Sequence, residues 1–264
     1  MIDQSFVEQV HALVQQVGNF QIEYQRKVLE TPIEDKSVHN FVTYVDKKSE
    51  ELLIEGLQKL LPEAVFLAEE SGGKLDYEKP SWIVDPLDGT TNYIHQIPIF
   101  SISVALWNKG KLEFGAVYHP HAREFFYAIS NQGAFLNDIP IQVTQAQKLS
   151  DALWATGFPT HDFPLLDNYL EIIRYSIQYT HGLRRLGSAA IDLAWVAAGR
   201  LDGFFEYGLS PWDVAAGALL VQEAGGIISD FSGKDNFLMG KEIVACNPLL
   251  HPLFIEQLNK FLYS

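Results

Sequence analysis

Across residues 100–143 the apolar side chains fall on alternate positions, with Phe100, Ile102, Val104 and Leu106 separated by small residues. Turn-forming breaks at Asn108-Lys109-Gly110, His119-Pro120 and Asn137-Asp138 divide the stretch. A period of two broken by turns reads as an antiparallel meander. Helical spacing precedes it. Val10, Leu13, Val14 and Val17 predict a helix over about 6–29, ended by Thr31-Pro32. Leu53, Leu57, Leu60 and Leu61 predict a second, stopping at Pro62. Two short apolar runs, Val65-Phe66-Leu67 and Trp82-Ile83-Val84, then lead directly into acids. After the meander, strands are expected over 152–156, 183–186, 201–206, 227–229 and 243–246. Helices are expected over 164–179, 188–198 and 214–224, with a last one closing the chain; Gly199 and Gly225-Gly226 act as stops. The class is α/β (α+β) with a mixed sheet in each half. The join falls near residue 145, giving an N-terminal half over 1–145 and a C-terminal half over 146–264. No Pro/Gly/Ser-rich linker separates them, so they are expected to pack as one unit.

A chain of 264 residues is long enough for one large domain or two intimate halves, and for a sizeable core. Acids outnumber bases 33 to 19, a net charge of −14, which disfavours nucleic acid or an anionic membrane as a direct partner. The single cysteine, Cys246, excludes an internal disulfide and any multi-cysteine metal site. Its apolar neighbours mark it as buried and inert. The opening MIDQSFVEQV lacks the basic-then-apolar pattern of a signal peptide. No apolar run approaches the roughly 20 residues of a membrane span. A cytoplasmic protein is expected.

The chemistry concentrates in Asp85-Pro86-Leu87-Asp88-Gly89-Thr90-Thr91. Two carboxylates three apart follow an apolar strand. Pro86 fixes one backbone angle and Gly89 permits a tight turn. The following N–H groups and hydroxyls suit phosphate oxygens, and the carboxylates suit a hard divalent cation. An Asp-rich turn without function is the alternative. In Ser210-Pro211-Trp212-Asp213, the acid opens an apolar helix. Ser210 as cap, Pro211 as first helical residue and Asp213 as capping-box acid account for it locally. A carboxylate at a helix start is also placed to ligate an ion. Glu69-Glu70 reads locally as a solvated turn, and Thr43-x-x-Asp46 as a capping box.

Together these segments resemble the inositol monophosphatase family of Mg²⁺-dependent phosphatases, of the bacterial type. The likeness spans nearly the whole chain. It rests most on WIVDPLDGTTN at 82–92 and PWDVAAGALLVQEAGG at 211–226. LAEES at 67–71, VTYVDKKSE at 42–50, GAFLN at 133–137 and LRRLGSAAIDLAWVAAGRLDGFFEYGL at 183–209 support it. The resemblance implies a fructose-1,6-bisphosphatase-like layered αβαβα fold, frequent homodimers and lithium inhibition. It implies two Mg²⁺ per site, with room for a weaker third that leans on Glu69. Glu69, Asp85 and the Leu87 carbonyl correspond to ligands of the first ion. Asp85, Asp88 and Asp213 correspond to ligands of the second. Asp46 and Thr90 match the pair that orients and deprotonates the attacking water. The N–H groups of Gly89 and Thr90 match the phosphate cradle. Glu206 and the backbone at Ala189 match groups that hold inositol hydroxyls, with Arg185 and Gly187 leading into that pocket. The expected substrate is a phosphate monoester, foremost myo-inositol monophosphate. Fructose 1,6-bisphosphate, 3′-phosphoadenosine phosphate, histidinol phosphate and NADP are the alternatives within the superfamily.

Two rivals bound this reading. A haloacid-dehalogenase-type phosphatase also uses aspartates and Gly-Thr, but its D-x-D-G-T spacing is one residue shorter than Asp85-to-Thr90, and it passes through an aspartyl-phosphate. A regulatory protein on a phosphatase scaffold is the other, since some bacterial relatives are extragenic suppressors linked to transcription. It would bind a protein partner. The remaining features read as structural. These are a loop pair at His119 and His121, core or interface aromatics at Phe114, Tyr118, Phe125, Phe126 and Tyr127, and a solvated Lys47-Lys48. Trp195 is expected in the core or an interface. The stretch 157–162 is expected at the pocket.

Overall fold

The computed structural model describes residues 2–25, 34–37, 40–42, 44–159 and 163–262. The expected helix end at Thr31-Pro32, the cap residue Thr43 and part of the 157–162 stretch lie outside the described residues.

In chain order the elements begin with α1 (Gln4–Gln25), β1 (Glu34–Ser37), β2 (Asn40–Val42) and α2 (Tyr44–Leu60). Then come β3 (Val65–Ala68), β4 (Gly72–Gly73), β5 (Ser81–Asp88), α3 (Thr90–Ile94), β6 (Ser101–Asn108) and β7 (Lys111–His119). The meander continues with β8 (Glu124–Ile129), β9 (Gly133–Leu136) and β10 (Ile139–Ile141). The second half has β11 (Leu153–Thr156), α4 (Leu166–Tyr179), β12 (Gly182–Arg184), α5 (Ala189–Ala197) and β13 (Gly203–Tyr207). It ends with α6 (Pro211–Glu223), β14 (Ile227–Ser229), β15 (Glu242–Cys246) and α7 (His251–Leu262).

Two large sheets result. One runs β10-β9-β8-β7-β6-β5-β3-β4, antiparallel except for the parallel β3–β5 pair. The other runs β12-β11-β13-β15-β14, parallel at β12-β11-β13 and antiparallel beyond. Both are mixed, as the sequence patterning predicts.

The layers follow from strand alternation. On the large sheet, Trp82, Val84, Ile102, Val104 and Phe114 point to one face, where Val10, Val14 and Val17 of α1 and Leu53 and Leu57 of α2 cover them. Ile83, Ala105, Val117 and Phe126 point to the other, against α5 and α6. Phe204 and Ala245 of the second sheet meet that same helical layer. Phe205 and Val244 point away from it onto Tyr169 and Ile172 of α4 and Phe254 and Leu258 of α7. The order is helices, sheet, helices, sheet, helices. Helices α5 and α6 are buried along most of their lengths, as a layer packed on both faces must be.

Two details differ from the sequence reading, the place of the acidic segment and that of His119. The acidic segment is the bulged end of β5 rather than a free loop. His119 ends β7, is buried, and its Nε2 lies 2.9 Å from the Pro98 carbonyl. His121 is an exposed turn residue, as expected for a loop, and its Nε2 lies 2.8 Å from Gln25 Oε1. The meander aromatics Phe114, Tyr118, Phe125, Phe126 and Tyr127 are all core. Cys246 is fully buried, and burial pushes its thiol far up.

Candidate active site

Residues three apart in a regular strand point to opposite faces. Asp85 and Asp88 nevertheless converge. Asp85 pairs with Ser103 and Asp88 with Ser101, so β5 spends one residue more than β6 between the two pairs. That bulge re-aims the chain. It falls at Pro86-Leu87, where proline's missing N–H costs no ladder bond. The Leu87 N–H turns back to Asp85 Oδ1 at 2.9 Å. From the other half, α6 brings Asp213. Its Oδ2 accepts the Ser210 N–H at 2.6 Å, which is the capping box the sequence predicts. Carboxylate oxygens of Asp85, Asp88 and Asp213 lie within 4.8 Å of one another. Capping and convergence therefore coexist in Asp213.

Gly89 is the hinge of this loop. Its φ of 96° is left-handed, and it starts α3. A Cβ there would stand 3.0 Å from the Gly187 carbonyl oxygen and 3.2 Å from that of Ile99, so only glycine fits. Next to it, the Thr90 hydroxyl lies 3.0 Å from the Leu87 carbonyl and 3.3 Å from Asp46 Oδ1. Asp46 is buried in the first turn of α2. The Asp46–Thr90 pair is thus in contact across 44 residues of chain.

Burial raises the carboxyl of Asp85 well above the usual range, and Glu69, Asp88 and Asp213 raise it further. Asp213 is pushed up to about 7, by burial first and Asp88 second, against its bonds to Ser210 and Asp85. Burial raises Asp88 as well, opposed by hydrogen bonds from Ser188, Ala190 and Ala189. Without a cation the cluster holds protons that a cation would displace. Hard, oxygen-only, clustered donors fit Mg²⁺ rather than a soft metal. Asp85, Asp88 and Asp213 are the residues whose carboxylates would hold it.

Several supporting residues are not evident from the sequence. Ser188 Oγ donates to Asp88 Oδ2 at 2.6 Å, and the Ala190 N–H donates to the same oxygen at 2.8 Å. Ser101 Oγ backs Ser188 at 3.1 Å. Gln21 reaches from α1 to donate to the Pro86 carbonyl at 2.7 Å. Glu50, buried in α2, accepts the N–H groups of Glu70 and Ser71 at 2.8 Å each and so fixes the turn that carries Glu69. Neutralising it in Glu50→Ala is expected to weaken Mg²⁺ binding about 10–100-fold with the fold kept, read by Mg²⁺ titration.

Glu206 lies near the acids, with the Arg185, Asp213 and Asp88 charges as its neighbours. Burial raises Glu206 strongly, and the nearby Arg185 charge opposes that. Arg185 is exposed and lies over the Phe158 ring at 5.5 Å. Asp192 of α5 lies behind them, buried, with Oδ1 unpartnered. The Ala189 N–H is spent on Asp88 in this arrangement.

Five layers enclose a carboxylate cluster drawn from both halves, an α+β architecture with its acids at the junction. The sequence matches the inositol monophosphatase family over residues 3–263, and the chain belongs to that family. The "Putative Nus factor SuhB" of Neisseria meningitidis serogroup B is 47% identical over 219 residues, 81% of this chain and 83% of that protein. The "Nus factor SuhB" of Escherichia coli K12 is 45% identical over 214 residues, 81% of this chain and 80% of that protein. Among solved structures, the extragenic suppressor protein suhB of Bartonella henselae superposes with a TM-score of 0.92 at 36% identity, covering 97% of this chain and 99% of that one. The IMPase of Thermotoga maritima gives 0.89 at 31% identity and 98% of both chains.

Proposed function

We propose that this protein hydrolyses a phosphate monoester with Mg²⁺, foremost myo-inositol monophosphate, by direct attack of water and without a phosphoenzyme. The observation that carries the reading is the convergence of Asp85, Asp88 and Asp213 beside the Asp46–Thr90 contact. Mg²⁺ bound by Glu69, Asp85, the Leu87 carbonyl, Asp88 and Asp213 supplies Lewis acidity toward water and the ester oxygens.

The chain's own residues do the rest. When the Thr90 hydroxyl turns from the Leu87 carbonyl to donate to Asp46, its oxygen is free to accept from the attacking water. The buried Asp46 carboxylate then receives the proton that moves through that hydroxyl. The N–H groups of Gly89 and Thr90 hold phosphate oxygens at the turn. Glu206 accepts hydroxyls of the leaving alcohol, with Arg185 and the backbone at Ala189 beside it. An acid there favours a polyol and repels a second phosphate, so a monoester is preferred over fructose 1,6-bisphosphate.

The test is Mg²⁺-dependent phosphate release. The panel is myo-inositol 1-phosphate, fructose 1,6-bisphosphate, 3′-phosphoadenosine 5′-phosphate, histidinol phosphate and NADP, with Asp88→Asn as the blank. Preference for the inositol ester, lost in the blank, is the expected result. Preference for another ester would overturn the role given to Glu206.

The relatives named Nus factors favour a second, non-catalytic role with a protein partner. Replacement of such a relative in its own cell, equally by wild type and Asp88→Asn, is the expected result. A cytoplasmic homodimer completes the proposal. Exposed Leu166, Leu170 and Ile177 on α4 offer apolar surface, and sedimentation of the purified protein tests the state. Among the described residues no helix is long and apolar enough to cross a membrane.

A further inference from the structure

We propose that Gly157 is a positioning residue that sets substrate choice: its missing side chain is the slot that holds the Glu206 carboxylate in the pocket. This rests on the reading of Glu206 as the group that receives substrate hydroxyls.

Strand β11 ends at Thr156, which pairs with Phe205 of β13. Gly157 is therefore one step past the ladder, beside Glu206. A Cβ built on Gly157 would overlap the carboxylate carbon and both carboxylate oxygens of Glu206, so that side chain would have to move. No left-handed angle forces glycine here, so space is the reason for it. A buried carboxylate in such a slot has one place to sit.

The slot is also braced from behind. Thr156 Oγ1 donates to the Phe205 carbonyl at 2.8 Å, and the Tyr169 hydroxyl lies 2.5 Å from Thr156 Oγ1. That hydroxyl is 3.1 Å from the Gly157 carbonyl and 3.2 Å from the Phe205 carbonyl. The three groups clamp the residue before Glu206 to the residue beside it. Tyr169 and Thr156 are fully buried, and their hydrogen bonds run to each other and to the Gly157 and Phe205 carbonyls beside Glu206. A residue with a side chain at 157 would turn the Glu206 carboxylate out of its slot and re-aim it.

The experiment is steady-state hydrolysis, with saturating Mg²⁺, of myo-inositol 1-phosphate and of p-nitrophenyl phosphate, which has no polyol hydroxyls. Gly157→Ala is expected to raise KM for the inositol ester about tenfold, the size of one lost hydrogen bond, with kcat within about twofold. Hydrolysis of p-nitrophenyl phosphate is expected to stay within about twofold, since no hydroxyl is read there. Added to Glu206→Gln, Gly157→Ala is expected to cost little more, because both act through one group. Tyr169→Phe, which leaves the slot open and loosens its brace, is expected to shift KM the same way by about threefold, and it carries the test if Gly157→Ala loses its melting transition. Equal loss on both esters, or an unaltered preference in the folded variants, overturns the inference. If Glu206→Gln also leaves the preference unaltered, the reading of Glu206 falls with it. If Glu206→Gln abolishes the preference and Gly157→Ala does not, the inference falls alone.

Discussion

Asp88→Asn is expected to lower kcat by on the order of 10³-fold or more while the protein stays folded. The side chain is in the middle of the cluster, and its Oδ2 already has two donors, Ser188 and Ala190. An amide oxygen can occupy that same position, so the local bonds survive. The charge does not. Each carboxylate near 4 Å from another is repelled by about 4 kcal/mol at an effective dielectric of 20. Losing one charge relieves the metal-free fold, so its melting temperature should hold or rise, whereas the stabilisation by Mg²⁺ should shrink. Asp213→Asn is expected to lose turnover in the same way but to behave differently in stability. It also removes a negative charge from the first turn of α6, which costs about 0.3–1 kcal/mol. Kinetics and melting curves of both variants, with and without Mg²⁺, check this. Turnover near wild type in both would overturn the site.

The parts of this site that could be read from the sequence are those whose residue type is unusual in its local setting. Asp85 and Asp88 follow an apolar strand and precede Gly-Thr-Thr, and Asp213 opens an apolar helix. The elements were legible for the same reason, since period two across the meander and helical spacing in α1 are local properties. The bulge was not legible. It is a mismatch between β5 and β6, and no single strand contains it. Nor was Glu50, one of many acids on a helix, whose role lies in bonds to N–H groups 20 and 21 residues away. Ser188 reads as an ordinary helix cap and is one, accepting the Ile191 N–H at 3.3 Å. Its second bond spans 100 residues to Asp88. Asp192 gave no signal because an acid inside an alanine-rich helix looks the same whether it is buried or solvated. The stretch 157–162 was expected at the pocket, but nothing local tied Gly157 to Glu206, because the carboxylate beside it comes from a neighbouring strand.

The melting-temperature gain from Mg²⁺ is expected to grow with pH, from little near pH 5 to its largest value by about pH 8. The sign follows from the direction of the shifts. Asp213 is raised to about 7 and Asp85 is raised well above its ordinary value, with burial the main cause in each. A carboxyl raised in the folded state binds more protons there than in the unfolded chain. Its stabilising contribution is complete below the unfolded value and is lost as pH climbs through the folded one. The metal-free fold is therefore penalised between about pH 4 and about 7 by these groups. A cation must expel the same protons, so it binds weakly where they are held and strongly once they have left. His11, His121 and His251 are lowered by burial and slope the other way, because their neutral folded forms lose stability as pH falls. They are the same with and without cation, so they cancel in the difference. At about 100 times its Kd, Mg²⁺ adds roughly 2.7 kcal/mol, or about 5–10 °C for a chain of this size. Melting curves with Mg²⁺ and with chelator at each pH measure the gain, and proton release on mixing gives an independent reading. A gain that is flat or falls as pH rises would mean that Asp85 and Asp213 do not hold the ion. In Asp213→Asn the pH dependence should flatten, since one of the displaced protons is gone.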